Sequence, residues 1–155
     1  ETFVVALTRL ATELAQLVVR DGEGVNKFVT IRVSGARTEA DSHRVANTIA
    51  TSPLVKTAFA GSDPNWGRIM AAAGRAGVRF DLQRAALWIG ANTSEPLQLM
   101  EHGAPCDYHE SDAAQIFAGS DFNVHLDLGC GRAETTVWTG DLTHEYININ
   151  ADYRS

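Results

Sequence analysis

Several short stretches of the chain carry residues whose types and spacing could do chemistry. In "RDGEGVNKF" a carboxylate, Glu23, stands between Gly22 and Gly24, with Lys27 shortly after. Glycine on both sides lets a backbone approach a ligand closely, so Glu23 could present its charge to an ammonium group, with Lys27 offering the opposite charge nearby. A solvated turn accounts for the same residues equally well. In "HGAPCDYH" the imidazoles of His102 and His109 and the thiol of Cys106 are donor types that zinc takes. A structural zinc needs four ligands, however, and His125 and Cys130 would have to be recruited from a distant strand. The expectation is therefore no metal, and a solvated loop with a packed thiol. In "LGCGRA" a lone thiol without a motif-linked histidine is weak evidence for a nucleophile. A bend between two strands, turned by Gly129 and Gly131, is the expected reading.

The stretch "SPLVKTAFAGSDPNWGR" combines several conformationally restrictive residues. Asp63 as an N-cap and Pro64 at the first helical position, preceded by a turn at Gly61, form a conventional helix start. That leaves Asn65, Trp66, Gly67 and Arg68 without a local reason. A glycine in the first helical turn costs about 1 kcal/mol relative to alanine, which helices accept where something packs against their backbone. The expectation is a buttress beside a site: Trp66 packed, Gly67 close to a neighbouring backbone, Arg68 tied to a carboxylate or a carbonyl, and Asn65 supporting.

The elements that must position these residues follow from periodicity. Phe3, Leu7, Leu10, Leu14, Leu17 and Val18 recur at steps of three and four, one apolar face of a helix that stops at "DGEG". "KFVTIRVSG" alternates, with Val29, Ile31 and Val33 facing one way, as in a half-buried strand. "TEADSHRVANTIA" reads as a helix capped by Thr38 and ended by Pro53, and "LVKTAFAG" as a short strand. "WGRIMAAAGRAG" is a small-residue helix ending at Gly74 and Gly77. "AALWIG", "PLQLM", "NVHLDLG" and "ETTVWTG" read as strands, "SDAAQIFAG" as a helix, and Thr143 opens a final helical turn. This order predicts an α+β domain, a mixed sheet covered by helices, occupying residues 1–155 as a single unit.

The totals bound the function. A chain of 155 residues with 45% hydrophobic and 21% charged residues has the composition of an ordinary globular domain. A net charge of -6, without a Lys/Arg cluster, gives nucleic-acid binding no electrostatic support. Charged or polar residues interrupt every apolar run, so no membrane span or signal peptide is expected. Two cysteines suit a reducing compartment, the cytoplasm. The start at Glu1 suggests a processed chain or an excised domain.

Three blocks, "RDGEGVNKFVTIRVSGA", "SPLVKTAFAGSDPNWGRIMAAAGRAG" and "WTGDLTHEYININADYRS", carry a resemblance that extends over nearly the whole chain. It resembles the C-terminal part of the β chain of ornithine acetyltransferase, also called glutamate N-acetyltransferase, an enzyme of arginine biosynthesis. The resemblance implies an acyltransferase whose precursor cleaves itself before a threonine. That threonine takes acetyl from N2-acetyl-L-ornithine and passes it to L-glutamate; acetyl-CoA is a donor in some members, and no cofactor is implied. It implies substrate-binding roles for Glu23, Asn150 and Ser155. No threonine here has the context of the nucleophile, which is expected upstream, while the oxyanion-hole groups are expected on the α chain. The implied partners are that α chain and further αβ copies, in a heterotetramer or larger. The rival readings are a noncatalytic amino-acid-binding or assembly module, and a related N-terminal-nucleophile hydrolase.

Overall fold

The computed structural model describes residues 2–91 and 95–152. Among them a mixed six-stranded sheet is flanked by helices, the α+β architecture expected from the sequence. In chain order the elements are α1 (Phe3–Arg20), β1 (Phe28–Ala36), α2 (Glu39–Ala50), α3 (Pro53–Ala60) and α4 (Trp66–Gly74). After a 3-10 turn at Leu82–Arg84 come β2 (Ala86–Gly90), β3 (Leu97–Glu101), β4 (Ala104–Pro105), α5 (Glu110–Ala118), β5 (Asp121–Asp127), β6 (Ala133–Gly140) and α6 (His144–Ala151).

The strand order is β4-β3-β2-β5-β1-β6. Only the β1–β5 pair is parallel; every other neighbour runs antiparallel. Register lines Ile31 up with Val124 and Val124 with Ile89, and all three are buried. One residue along, Arg32, His125 and Trp88 line up on the opposite face, because successive side chains alternate across a strand. The apolar face meets α2, which packs on β1 and β6, with α4 against α2 and α3, and α5 against β2. Phe59, Phe117 and Phe122 close the core between α3, α5 and β5, with ring centroids 4.7 to 5.8 Å apart. On the other face the His125 ring stacks on Trp88 and shares a hydrogen bond with Ser34 Oγ.

Two local expectations are corrected. "LVKTAFAG" is α3, not a strand: α2 stops at Ala50, short of Pro53 as read, and Pro53 then occupies the first turn of the next helix. A short apolar run does not distinguish the two conformations by pattern alone. The cap of α4 is Asn65, not Asp63; its Oδ1 accepts the Arg68 N–H at 3.1 Å, and Pro64 stays outside the helix. The chain reaches that start through a left-handed Ser62, φ 54°. Thr38 caps α2 as expected, accepting the Asp41 N–H.

The first helix differs from the rest. None of its eighteen residues is buried, and its apolar face, from Phe3 to Val18, is exposed. Its last turn is attached to the sheet: the Arg20 guanidinium lies 3.8 Å over the Phe28 ring and pairs with Asp121. Among the described residues, no helix is long and apolar enough to cross a membrane.

Candidate functional site

Glu23 sits on the turn between α1 and β1, and α6 comes down onto that turn from the other end of the sequence. Thr143 joins the two. Its hydroxyl donates to the Gly24 carbonyl at 2.6 Å and accepts the Tyr146 N–H, which caps α6. Gly24 has φ +68°, and a Cβ there would lie 2.5 Å from the Tyr146 nitrogen. Glycine is thus required twice, for the left-handed backbone and for the approach of a helix start. One turn further along α6, Asn150 Nδ2 donates to Glu23 Oε2 at 3.2 Å and to the Tyr146 carbonyl at 2.9 Å. The fold therefore brings together Glu23 and Asn150, two residues 127 positions apart. Ser155, the third residue implied by the resemblance, lies outside the described residues.

Glu23 opens onto a groove of about 520 Å³ along the edge strand β6, between the end of α1, the start of α3 and α6. Lys56 of α3, Thr139 and Asp141 at the end of β6, and Tyr146 also line it. Asp141 is buried; its Oδ1 accepts the N–H groups of Asn26 and Lys27 at 2.9 and 3.1 Å, which clamps the segment after Glu23 to the sheet. Its Oδ2 has no hydrogen-bond partner among the described residues. The Leu142 N–H donates to the Lys56 carbonyl, so α3 is tied to the same corner. Burial lowers the pKa of the Lys56 ammonium, and the charge of Asp141 opposes that shift. Neither Lys56 nor Asp141 stood out in the sequence. The one available signal was a lysine inside an otherwise apolar run.

Lys27 does not face this groove as a free charge. Its ammonium is buried and donates to the Phe59 and Phe117 carbonyls and to Ser62 Oγ, each at 2.7 Å. Three acceptors satisfy three N–H donors, and they join the ends of α3 and α5. Asn65 and Arg68 also work at a distance from Glu23. Arg68 Nη1 donates to the Leu54 carbonyl at 3.1 Å, which fixes α4 against α3, and Trp66 packs on the core. Gly67 touches no neighbouring backbone; a Cβ there would meet only Asn65 Oδ1, at 3.4 Å. That part of the buttress expectation is corrected, and the remainder acts through α3, the helix that carries Lys56.

The metal candidates are dispersed. His102 and Gly103 form the two-residue turn of the β3–β4 hairpin, both with positive φ, and His102 Nδ1 lies 2.7 Å from the Gln83 carbonyl. His109 caps α5 without a side-chain hydrogen bond. Among the described residues, no group of three or more His, Cys, Asp or Glu is placed to hold a metal ion. "LGCGRA" is the expected bend: Gly129 has φ +60°, and the Cys130 and Gly131 amides both donate to the Gly35 carbonyl.

A family model described as the ArgJ family matches residues 1–155. The chain belongs to the ArgJ family. The resemblance read from the three sequence blocks is therefore borne out. Among similar curated proteins, the mitochondrial arginine biosynthesis bifunctional protein ArgJ of Schizosaccharomyces pombe is 48% identical over 151 residues, covering 97% of this chain and 34% of that protein. The corresponding protein of Ruegeria pomeroyi is 48% identical over 154 residues, covering 99% of this chain and 36% of that protein. The chain thus spans about a third of the length of these ArgJ relatives. A crystal structure of the Bacillus halodurans ArgJ protein superposes with a TM-score of 0.91 at 33% identity, over 97% of this chain and 69% of that one.

Proposed function

We propose that the protein to which these residues belong is an amino-acid N-acetyltransferase of arginine biosynthesis, moving acetyl from N2-acetyl-L-ornithine to L-glutamate. In this reading a threonine supplied by the rest of the polypeptide attacks the acetyl carbonyl. The C–N bond breaks, and ornithine leaves with the proton on its amine. The glutamate amine then attacks the acetyl ester, the C–O bond breaks, and the threonine hydroxyl is restored. Covalent catalysis of this kind replaces one difficult amide exchange by two acyl transfers. The described residues supply substrate contacts. Glu23 takes an ammonium group of the amino acid, and Asn150 orients Glu23 and offers a polar contact, as does Ser155. Self-cleavage of a precursor, assembly with the resulting α chain into αβ multimers, use of acetyl-CoA as a further acetyl donor, and a cytoplasmic location belong to the same proposal. The names of the ArgJ relatives support the pathway, and the two free cysteines are compatible with a reducing compartment.

The observation that carries the reading is the hydrogen bond from Asn150 to Glu23, a residue that itself lines a groove of an ArgJ fold. The test uses the full-length protein with N-acetylornithine, with and without glutamate. Ornithine release is expected to require glutamate and to yield N-acetylglutamate in equal amount. Release that ignores glutamate would identify a hydrolase, and no release would remove the reading. Replacing Glu23 with Gln is expected to raise KM for N-acetylornithine about tenfold or more, the scale of one charged hydrogen bond; a KM within about twofold of the parent removes the role of Glu23.

A further inference from the structure

The groove beside Glu23 contains a second charged group of opposite sign. Among its described lining residues Lys56 is the only lysine or arginine. It is half-buried, and among the described residues its ammonium has one hydrogen-bond contact, Thr139 Oγ1 at 3.4 Å, longer than the usual N–H···O distance. That hydroxyl already donates to the Ala50 carbonyl at 2.9 Å. The Lys56 ammonium therefore reaches the groove with donors still available. This contrasts with Lys27, which has the same ammonium and three good acceptors. Asp141 supplies a fixed countercharge in the wall. Its Oδ1 is anchored by two backbone amides and its Oδ2 is unpartnered among the described residues, so its negative charge favours a cation close by. No salt bridge within 4 Å joins Asp141 to Lys56 among the described residues, so the carboxylate acts on the ammonium through its charge and takes none of its hydrogen-bond donors.

The chemistry of the two substrates says what such a group is for. Ornithine and glutamate differ in side-chain charge, and the group that both present unchanged is the α-carboxylate. Glu23 has the wrong sign to bind it. We propose that Lys56 binds the α-carboxylate of the amino-acid substrate in the groove it shares with Glu23, with Asp141 holding the ammonium in position. This assignment rests on the acetyltransferase reading above. It makes Lys56 the residue that selects α-amino acids over simple amines, and it gives α3, braced by Arg68, a reason for its fixed placement.

The experiment compares N2-acetylornithine with N-acetyl-1,4-diaminobutane, the same molecule without its α-carboxylate, in the full-length protein and its Lys56→Gln and Lys56→Arg variants. The parent is expected to prefer N-acetylornithine in kcat/KM by about 10- to 100-fold, the range for a hydrogen bond to a charged group. In Lys56→Gln that ratio is expected to fall to within about threefold, mainly through KM for N-acetylornithine, with the diaminobutane substrate little affected; Lys56→Arg is expected to recover part of the preference. A purely structural role would lower both substrates together, and that outcome overturns the proposal, as does a ratio in Lys56→Gln equal to that of the parent. If the parent releases no ornithine, the functional reading fails and the Lys56 assignment falls with it. If the parent is active and Lys56→Gln retains the full preference, only the Lys56 assignment is lost.

Discussion

Two lysines with lowered pKa values show how differently the same side chain can be used. For both, burial is the leading cause and Asp141 is the opposing charge. Lys27 is nearly inaccessible and has an acceptor for each of its protons, two of them carbonyls at the ends of α3 and α5, where a helix leaves its last carbonyls short of intrahelical partners. Replacing it with methionine keeps the length and removes the donors, so that the Phe117 carbonyl and Ser62 Oγ lose the Lys27 N–H and the Phe59 carbonyl keeps only the Ser62 N–H. The expected cost is about 2–4 kcal/mol, read as a lower urea midpoint, with kcat of the remaining folded enzyme close to the parent value. A large loss of kcat with an unchanged midpoint would instead place Lys27 at the substrate.

At the scale of elements, the site depends on how α6 meets the turn after α1. Gly24→Ala adds a methyl group against the Tyr146 nitrogen and forces a side chain into a left-handed conformation. The expected result is a loss of about 1–3 kcal/mol in thermal or urea stability. It comes with a KM increase for N-acetylornithine larger than that of an equally destabilising change in α2, because α6 is displaced and takes Asn150 with it; equal KM effects would count against this coupling. Much of this level was legible beforehand. The repeat from Phe3 to Val18, the alternation of Val29, Ile31 and Val33, and the Thr38 cap each depend on local chemistry, and each formed as read. The reading failed where local chemistry is degenerate. Pro53 both closes α2 and opens α3, which a stop signal alone does not reveal, and Asp63 and Asn65 are both good caps, so the choice between those two was made by packing. The short apolar run of α3 fits a strand as well as a helix, and that ambiguity hides the inward placement of Lys56, which it carries. The candidate site was half legible: Glu23 and Asn150 through the resemblance, but not the groove, whose walls come from four parts of the chain.

At the scale of the whole sheet, β1 occupies an interior position while being the first of its strands among the described residues. Both its neighbours are late: Phe28 pairs with Asp121 on one side and Gly140 on the other. The wait is a property of synthesis as well as of geometry. At ordinary translation rates of roughly 5–20 residues per second, β1 leaves the ribosome about 5–20 seconds before β5 exists. During that interval β1 is an apolar strand whose two edges have no strand partners, although α2 is already made beside it. Nascent chains arrested before residue 121 are therefore expected to be cut readily by protease between β1 and α2, and chains arrested beyond residue 150, once clear of the ribosome, to resist. Resistance in the shorter chains would mean that α2 to α4 protect β1 before its sheet is complete. Because β1 lies between two strands made much later, this sheet cannot close until β5 and β6 have been made, and through that interval chaperones rather than sheet contacts must keep its open edges from aggregating.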